Sequence, residues 1–315
     1  MKEAEKMSHS EDQGRLSAGQ RAQLVSLFDT FVGPLSEAET EDIVRQYGDG
    51  TAEREAALRQ FCKRKASDLG VAEDCIALLL DPALVPPSEQ EELLMALTLL
   101  SRPATSFLLT GHWSAFSDLP AEERAAVLRG WATSALESKR ALHKVFKAVC
   151  GKCFMSKTVA DPSTGRRDNP NWSAIGYPGP DPERDSPRYV QQEPRAYHYR
   201  FLEPHPSAEP LALEFDAVVV GSGCGGGVMA AELSKAGRRV LVVEKGRYFH
   251  QSQMSLFEED IFSQMYEQQA VLGCVGGGVQ ILAGSCFGGG SYVPLSLQFL
   301  CSFFVLLISL TSSMC

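Results

Sequence analysis

The spacing of hydrophobic positions changes twice along this chain of 315 residues, and each change predicts a different kind of structure. From residue 16 to residue 150 the apolar positions recur at helical intervals. Leu24, Leu27, Phe28 and Phe31 share one face behind Ser17-Ala18-Gly19-Gln20, whose serine and glutamine have capping-box spacing, and Gly33-Pro34 stops the run. The same start signal stands at Ser36 to Glu39 and at Ser88 to Glu91. The last of these leads into Leu93, Leu94, Leu97 and Leu100 before Arg102-Pro103 interrupts, well short of the ~18 apolar residues a membrane span needs. That predicts a core helix. A long helix is predicted after Pro120, burying Val127, Trp131, Leu142, Val145, Phe146 and Val149. Residues 1–15 are polar without rhythm and are expected to be disordered; they hold no apolar segment of a secretory signal.

Between residues 155 and 210 the helical spacing ends. Ten of the seventeen prolines lie here, which removes backbone donors and disfavours helix, so an extended connector is predicted. Its aromatic residues (Trp172, Tyr177, Tyr189, Tyr197, Tyr199, Phe201) predict that it packs along a surface as a structured linker.

The second change falls at "FDAVVVGSGCGGGVMAAELSKAGRRVLVVEKGRYF". Ala217 to Val220 form a short, wholly apolar run of the kind found in buried parallel strands. Gly221, Gly223 and Gly226 then give G-x-G-x-x-G, a helix-forming segment runs from Val228 to Lys235, and "RRVLVVE" predicts a second buried strand ending in Glu244. The spacing has a mechanism. The first glycine permits the tight turn, the second lets a pyrophosphate approach the backbone, and the third lets helix pack on strand. The helix N-terminus offers free N–H groups and the positive end of its dipole to phosphate. Glu244 is placed for ribose hydroxyls, which disfavours a 2′-phosphorylated nucleotide. Candidate nucleotide contacts are therefore Gly221, Ser222, Gly223, Cys224, Gly225, Gly226, Glu244 and the adjacent Lys245. Cys224 fills a slot that needs a small residue and is assigned no redox role.

A second glycine cluster, "VQILAGSCFGGGS", follows. Here the chain resembles the glucose–methanol–choline (GMC) family of flavin oxidoreductases, in which a loop of this type runs along the pyrophosphate and flavin. The matching residues are Gly284, Gly288, Gly289, Gly290 and Ser291. With the upstream "NPNWSAIGYPGP" and the helical front end, residues 16–291 look like the long-chain (fatty) alcohol oxidase branch. The resemblance implies an α+α/β architecture: a helical domain at 16–154, the linker at 155–210, and the start of a Rossmann-like FAD-binding domain at 211–291. It implies FAD as cofactor, and a long-chain alcohol and oxygen as partners, giving aldehyde and hydrogen peroxide. In that family the base is a histidine assisted by a second His or Asn near the C-terminus. None of His9, His112, His143, His198, His205 and His250 matches those positions, so no catalytic residue is assignable.

After Ser291 the family pattern stops at Tyr292-Val293-Pro294. The apolar stretch from Leu295 to Leu310 lacks charge and flanking Lys or Arg, and is shorter than the about 20 residues of a span. Residues 292–315 are expected to be read-through of a retained intron or a mispredicted gene end, since the codons for Ser-Tyr-Val can contain a splice donor. A tail anchor is the alternative. Two rival functions stay open: a noncatalytic, membrane-tethered nucleotide-binding fragment, and an NAD-dependent dehydrogenase fragment, against which the "GGGS" loop counts.

Composition adds exclusions. A net charge of −9 argues against a nucleic-acid partner, which needs clustered Lys and Arg. Nine cysteines without a visible secretory signal predict free thiols in a reducing, intracellular compartment, membrane-associated or peroxisomal settings remaining open. Cys150 and Cys153 in "CGKC" have no second ligand pair for zinc and follow a helix rather than a strand, so they read as helix-end cysteines. His112 and His143 read as structural or surface residues, and "FEED" (Phe257 to Asp260) as a solvated helix face. Oligomeric state is left open.

Overall fold

The computed structural model describes residues 16–180, 201–202, 212–250, 253–270 and 281–293, so residues 1–15 and 294–315, including the expected disordered start and most of the apolar tail, lie outside the described residues. The chain forms two compact units.

The first unit is helical. It contains α1 (Ala18–Phe31), α2 (Glu37–Tyr47), α3 (Ala52–Lys63), α4 (Val71–Leu80), α5 (Pro87–Ser101), α6 (Pro103–Thr110), α7 (Ala121–Ala132) and α8 (Glu137–Ser156). The capping boxes expected at Ser17–Gln20 and Ser36–Glu39 both form, each serine receiving an N3 amide while the N3 side chain returns to the serine amide. The third does not. α5 starts at Pro87, two residues before the start that a Ser88 cap would give; its missing N–H costs nothing at the first helical position, and this carries Ser88 inside the helix. Arg102-Pro103 bends α5 and α6 by 112°. Among the described residues no single helix is long and apolar enough to cross a membrane.

The single long helix expected after Pro120 is two, broken between Ala132 and Glu137. Arg140 Nη1 bonds the carbonyl of Ala135 at 3.0 Å and also that of Ser134, holding the break by charge-assisted bonds. Of the face expected to be buried, Val127, Trp131, Phe146 and Val149 join the core, whereas Val145 is exposed. The core is closed by Phe28 and Phe146 edge to face, and by Trp131, whose Nε1 donates to the Leu109 carbonyl at 2.8 Å.

This unit extends past residue 154 to Tyr177. A hairpin pairs β1 (Val159–Ala160) with β2 (Arg167–Asp168), and a short helix α9 (Trp172–Ile175) packs on α3. The carbonyls at the end of α8 have no partner within the helix. Asn169 Nδ2 bonds Met155 O at 2.6 Å and Asn171 Nδ2 bonds Phe154 O at 2.7 Å, so the proline-rich "NPNW" caps the preceding helix. Trp172 is buried, with Tyr177 against its edge. The rest of the expected linker, 181–200 and 203–210, lies outside the described residues.

Cys150 and Cys153 lie buried in the last turns of α8 near Cys75 of α4. Burial pushes the Cys150 thiol up, and a hydrogen bond with Cys153 does the same for Cys75. His112 Nδ1 lies 3.3 Å from Glu123 Oε2, and His143 meets the Phe31 ring edge-on.

In the second unit β3 (Ala217–Val220) and β4 (Val240–Val243) pair in parallel, Ala217 opposite Val240 and Val220 opposite Val243. Between them runs α10 (Cys224–Lys235). The helix begins four residues before the expected Val228, taking the glycines into its first turn. The strands differ from expectation too. A buried parallel strand is covered on both faces, but here Val219 faces α10 while Val218 and Val220 are exposed, Val220 at 83%. Among the described residues α10 covers only one face. The "FEED" acids are also not a solvated face: Phe257 is the N-cap of α11 (Glu258–Met265), and Glu258, Glu259 and Asp260 sit half-buried in its first turn, where negative charge complements the helix dipole.

Candidate nucleotide-binding site

Two glycine-rich segments of the second unit meet at the C-terminal end of its strands. The first is the β3–α10 turn. Gly221 takes φ +91°, which favours glycine, and its amide donates to the Val243 carbonyl at 2.8 Å, tying the turn to β4. A Cβ on Gly226 would lie 1.9 Å from the Gly221 carbonyl oxygen, so helix and turn touch only because it is absent. Gly223 differs. It is the N-cap of α10 at φ −60° and ψ −177°, backbone that any residue adopts, and a Cβ there would meet nothing within 4 Å. Gly225 is likewise open. The fold itself does not require glycine at these two positions.

α10 has no side-chain cap at its N-terminus, so its first amides and the positive end of its dipole are left for an external acceptor. Cys224, its first residue, is exposed, as is Lys245.

Glu244 stands at the tip of β4. Its Oε2 accepts the Ser222 amide at 2.8 Å and the Ser222 hydroxyl at 2.7 Å, and its Oε1 accepts the Gly246 amide at 2.8 Å. Burial would raise the carboxyl pKa, but the bonds from Gly246, Ser222 and Lys245 together hold it below the ordinary glutamate value. The carboxylate is therefore ionised at neutral pH and fixed in orientation.

The second segment spans 284–291. Its start is anchored by a parallel bridge between Arg247 and Cys286 and by the Phe287 amide on the Arg247 carbonyl at 3.0 Å. Gly284 bridges Tyr266. Gly288 and Gly289 take positive φ, and a Cβ on Gly289 would come within 3.1 Å of Gly223 Cα. The Gly288 amide donates to Ser222 Oγ at 2.8 Å. Gly290 is exposed, and Ser291 Oγ bonds the Gly288 carbonyl at 2.8 Å, closing the turn. Tyr292 and Val293, beyond the expected family boundary, pack into this unit: the Tyr292 hydroxyl donates to the Phe249 carbonyl and Val293 is buried.

All thirteen residues singled out in the sequence thus fall on the two segments or the strand tip beside them. The sequence did not reveal that Ser222 turns inward, bonding Glu244 and Gly288. A serine between glycines carries no signal of its partners. The geometry fits a dinucleotide cofactor: open positions at Gly223 and Gly225, an uncapped helix N-terminus, and an oriented carboxylate at the neighbouring strand tip.

Comparison with known proteins agrees. Residues 219–249 match the NAD(P)-binding Rossmann-like domain family. Over most of its length the chain is similar to plant enzymes: 29% identical to the Arabidopsis thaliana long-chain-alcohol oxidase FAO4A across 87% of this chain, and 31% identical to FAO3 of the same plant across 79%. It belongs to the long-chain-alcohol-oxidase branch of the GMC oxidoreductase family. The chain is also similar to a cholesterol oxidase of Mycobacterium tuberculosis, 36% identical over 26% of this chain. The chain spans 42% and 36% of the lengths of the two plant oxidases, so this GMC chain corresponds to a portion of them. No solved structure matches it.

Proposed function

We propose that the β3–α10 turn, Glu244 and the 284–291 loop hold the ADP portion of FAD, and that the protein serves the oxidation of long-chain alcohols by oxygen, giving aldehyde and hydrogen peroxide. The observation that carries this reading is the pair of glycines the fold does not need. Gly221 and Gly226 are required by turn and packing, whereas Gly223 and Gly225 leave open space over a helix N-terminus. Glycine there makes sense if something outside the chain comes close to the backbone.

The roles follow from the geometry. The first amides of α10, with the helix dipole behind them, would hold the diphosphate. Glu244, ionised and held by Ser222 and Gly246, accepts from the ribose hydroxyls. A bound flavin would supply the hydride acceptor that oxidation at an alcohol's carbinol carbon requires. No described residue is assigned as the base for the hydroxyl proton.

The test is Gly223→Val. The added Cβ meets nothing within 4 Å, so both units should keep their unfolding transitions. Flavin binding, read by fluorescence on titration with FAD, should fall by at least about a hundredfold, because the branched side chain occupies the diphosphate position. A variant that binds FAD like the parent removes the turn as the phosphate site. A second reading, a nicotinamide dinucleotide in the same turn, draws support from the family matched at residues 219–249. Parallel titration with NAD and FAD separates the two.

A further inference from the structure

Ser222 is where the two glycine-rich segments and Glu244 converge. In a turn otherwise half-exposed or exposed, it is buried, with 9% of its surface accessible. Its hydroxyl has one proton to give and two lone pairs to receive. The proton goes to Glu244 Oε2 at 2.7 Å, an ionised carboxylate that can only accept, and this orients the oxygen to take the Gly288 amide at 2.8 Å. The next residue, Gly289, is pressed against Gly223 closely enough that a Cβ would sit 3.1 Å from its Cα. The bridge of Arg247 with Cys286 anchors the beginning of the second loop, and the Ser222 bond acts two residues further on, where the loop reaches the first turn.

We propose that Ser222 is a positioning residue that links the Glu244 carboxylate to the second glycine loop, so that the two close on one nucleotide together. The proposal rests on the nucleotide reading of this site for its binding consequence, whereas the link itself is made by the chain's own residues. Alanine at 222 deletes the shared oxygen. Glu244 loses a donor, the Gly288 amide loses its acceptor, and the loop is no longer held over Gly223. Threonine keeps the oxygen and its proton.

The experiment uses the whole 315-residue chain and two readouts. The first is amide hydrogen exchange across 284–291 without nucleotide, comparing the parent with Ser222→Ala and Ser222→Thr. The alanine variant should exchange about tenfold faster at Gly288 and the threonine variant should stay near the parent. The second is FAD affinity by flavin fluorescence for Ser222→Ala, Glu244→Gln and the double variant. Each single change should weaken binding about tenfold, and the double change should be little worse than either, because both cut one link. Unchanged exchange at Gly288 in the alanine variant overturns the link, as does full additivity of the two substitutions. A parent chain that binds no FAD while Ser222→Ala still speeds exchange supports the link and overturns the nucleotide reading.

Discussion

The two units of this protein differ in how far an apolar core orders the elements that carry their sequence signals. The helical unit has a core of large side chains, with Trp131, Phe28, Phe116, Phe146 and Phe154 all nearly inaccessible although Trp113, Leu108 and Met95 stay exposed, and α1 and α2 begin with complete capping boxes. In the nucleotide-binding unit α10 buries no residue, Val218, Val220, Val228 and Met229 are exposed, and the N-terminus of the helix has no side-chain cap. Its strands and turn are tied by backbone and carboxylate bonds (parallel strand pairing, the Asp216 carboxylate on the Arg239 amide at 2.7 Å, and Glu244 on Ser222 and Gly246), while Phe249, Met265, Cys286 and Val293 are buried beside them. An uncapped N-terminus is not peculiar to α10, since α4 to α8 of the helical unit also lack a side-chain cap; what sets α10 apart is the open backbone at Gly223 and Gly225 beside it.

The contrast can be broken most forcefully from the helical side. Trp131→Ala removes a buried indole and one of the two donors on the Leu109 carbonyl, Lys139 Nζ remaining, and should cost ~3–5 kcal/mol, read as a lower urea midpoint. FAD affinity of the folded protein should not change. A loss of affinity in step with stability would mean that the two units are not independent.

Gly226→Ala tests the other side. Its Cβ is placed 1.9 Å from the Gly221 carbonyl oxygen, so turn and helix must separate, at about 1–3 kcal/mol for overpacking. Faster amide exchange over 221–230 with an unchanged urea midpoint for the helical unit is the expected pattern. Protection at parental levels would show that the turn is looser than its packing implies.

Ser36→Ala compares a capped helix with an uncapped one. It removes the Ser36 hydroxyl that accepts the Glu39 amide and should cost about 1 kcal/mol, with no effect on nucleotide binding. A neutral result would indicate that the capping boxes contribute less to the helical unit than its apolar core.

The smallest effect is in pH. His143 is held below its ordinary value of 6.5, first by burial and then by Lys147, so it folds neutral. The unfolded chain binds its proton more readily, and the helical unit should begin to lose stability as pH falls below 6.5. Glu244 is depressed below 4.5, so its contribution is complete above that value and is lost as pH falls through the lower folded one. Acid titration followed by exchange should loosen the helical unit first. Reversal of that order, or a single joint transition starting above pH 6.5, contradicts the assignment.

Much of this was legible in the residues. Capping boxes announce themselves because their partners are three positions apart, and both α1 and α2 start where Ser17 and Ser36 say they should. The β3–α10–β4 order and the glycine turn were legible for the same reason: strand, turn and helix are local patterns with fixed spacing. Where a local signal met a neighbouring one the reading slipped. Ser88 lost the start of α5 to Pro87, and nothing in the periodicity of 121–156 shows the break that Arg140 holds.

What the sequence by itself determined, then, is the identity of the elements and the residues of the nucleotide turn, because helical and strand periodicity, caps and glycine spacing act between residues close in the chain. Tertiary structure alone decided which glycines serve the fold and which leave room for a ligand. It also decided that "NPNW" caps α8, and that Ser222 joins Glu244 to Gly288 across 66 residues. Those relations depend on atoms brought within hydrogen-bond distance by the packing of separate segments, and no spacing in the sequence encodes that distance.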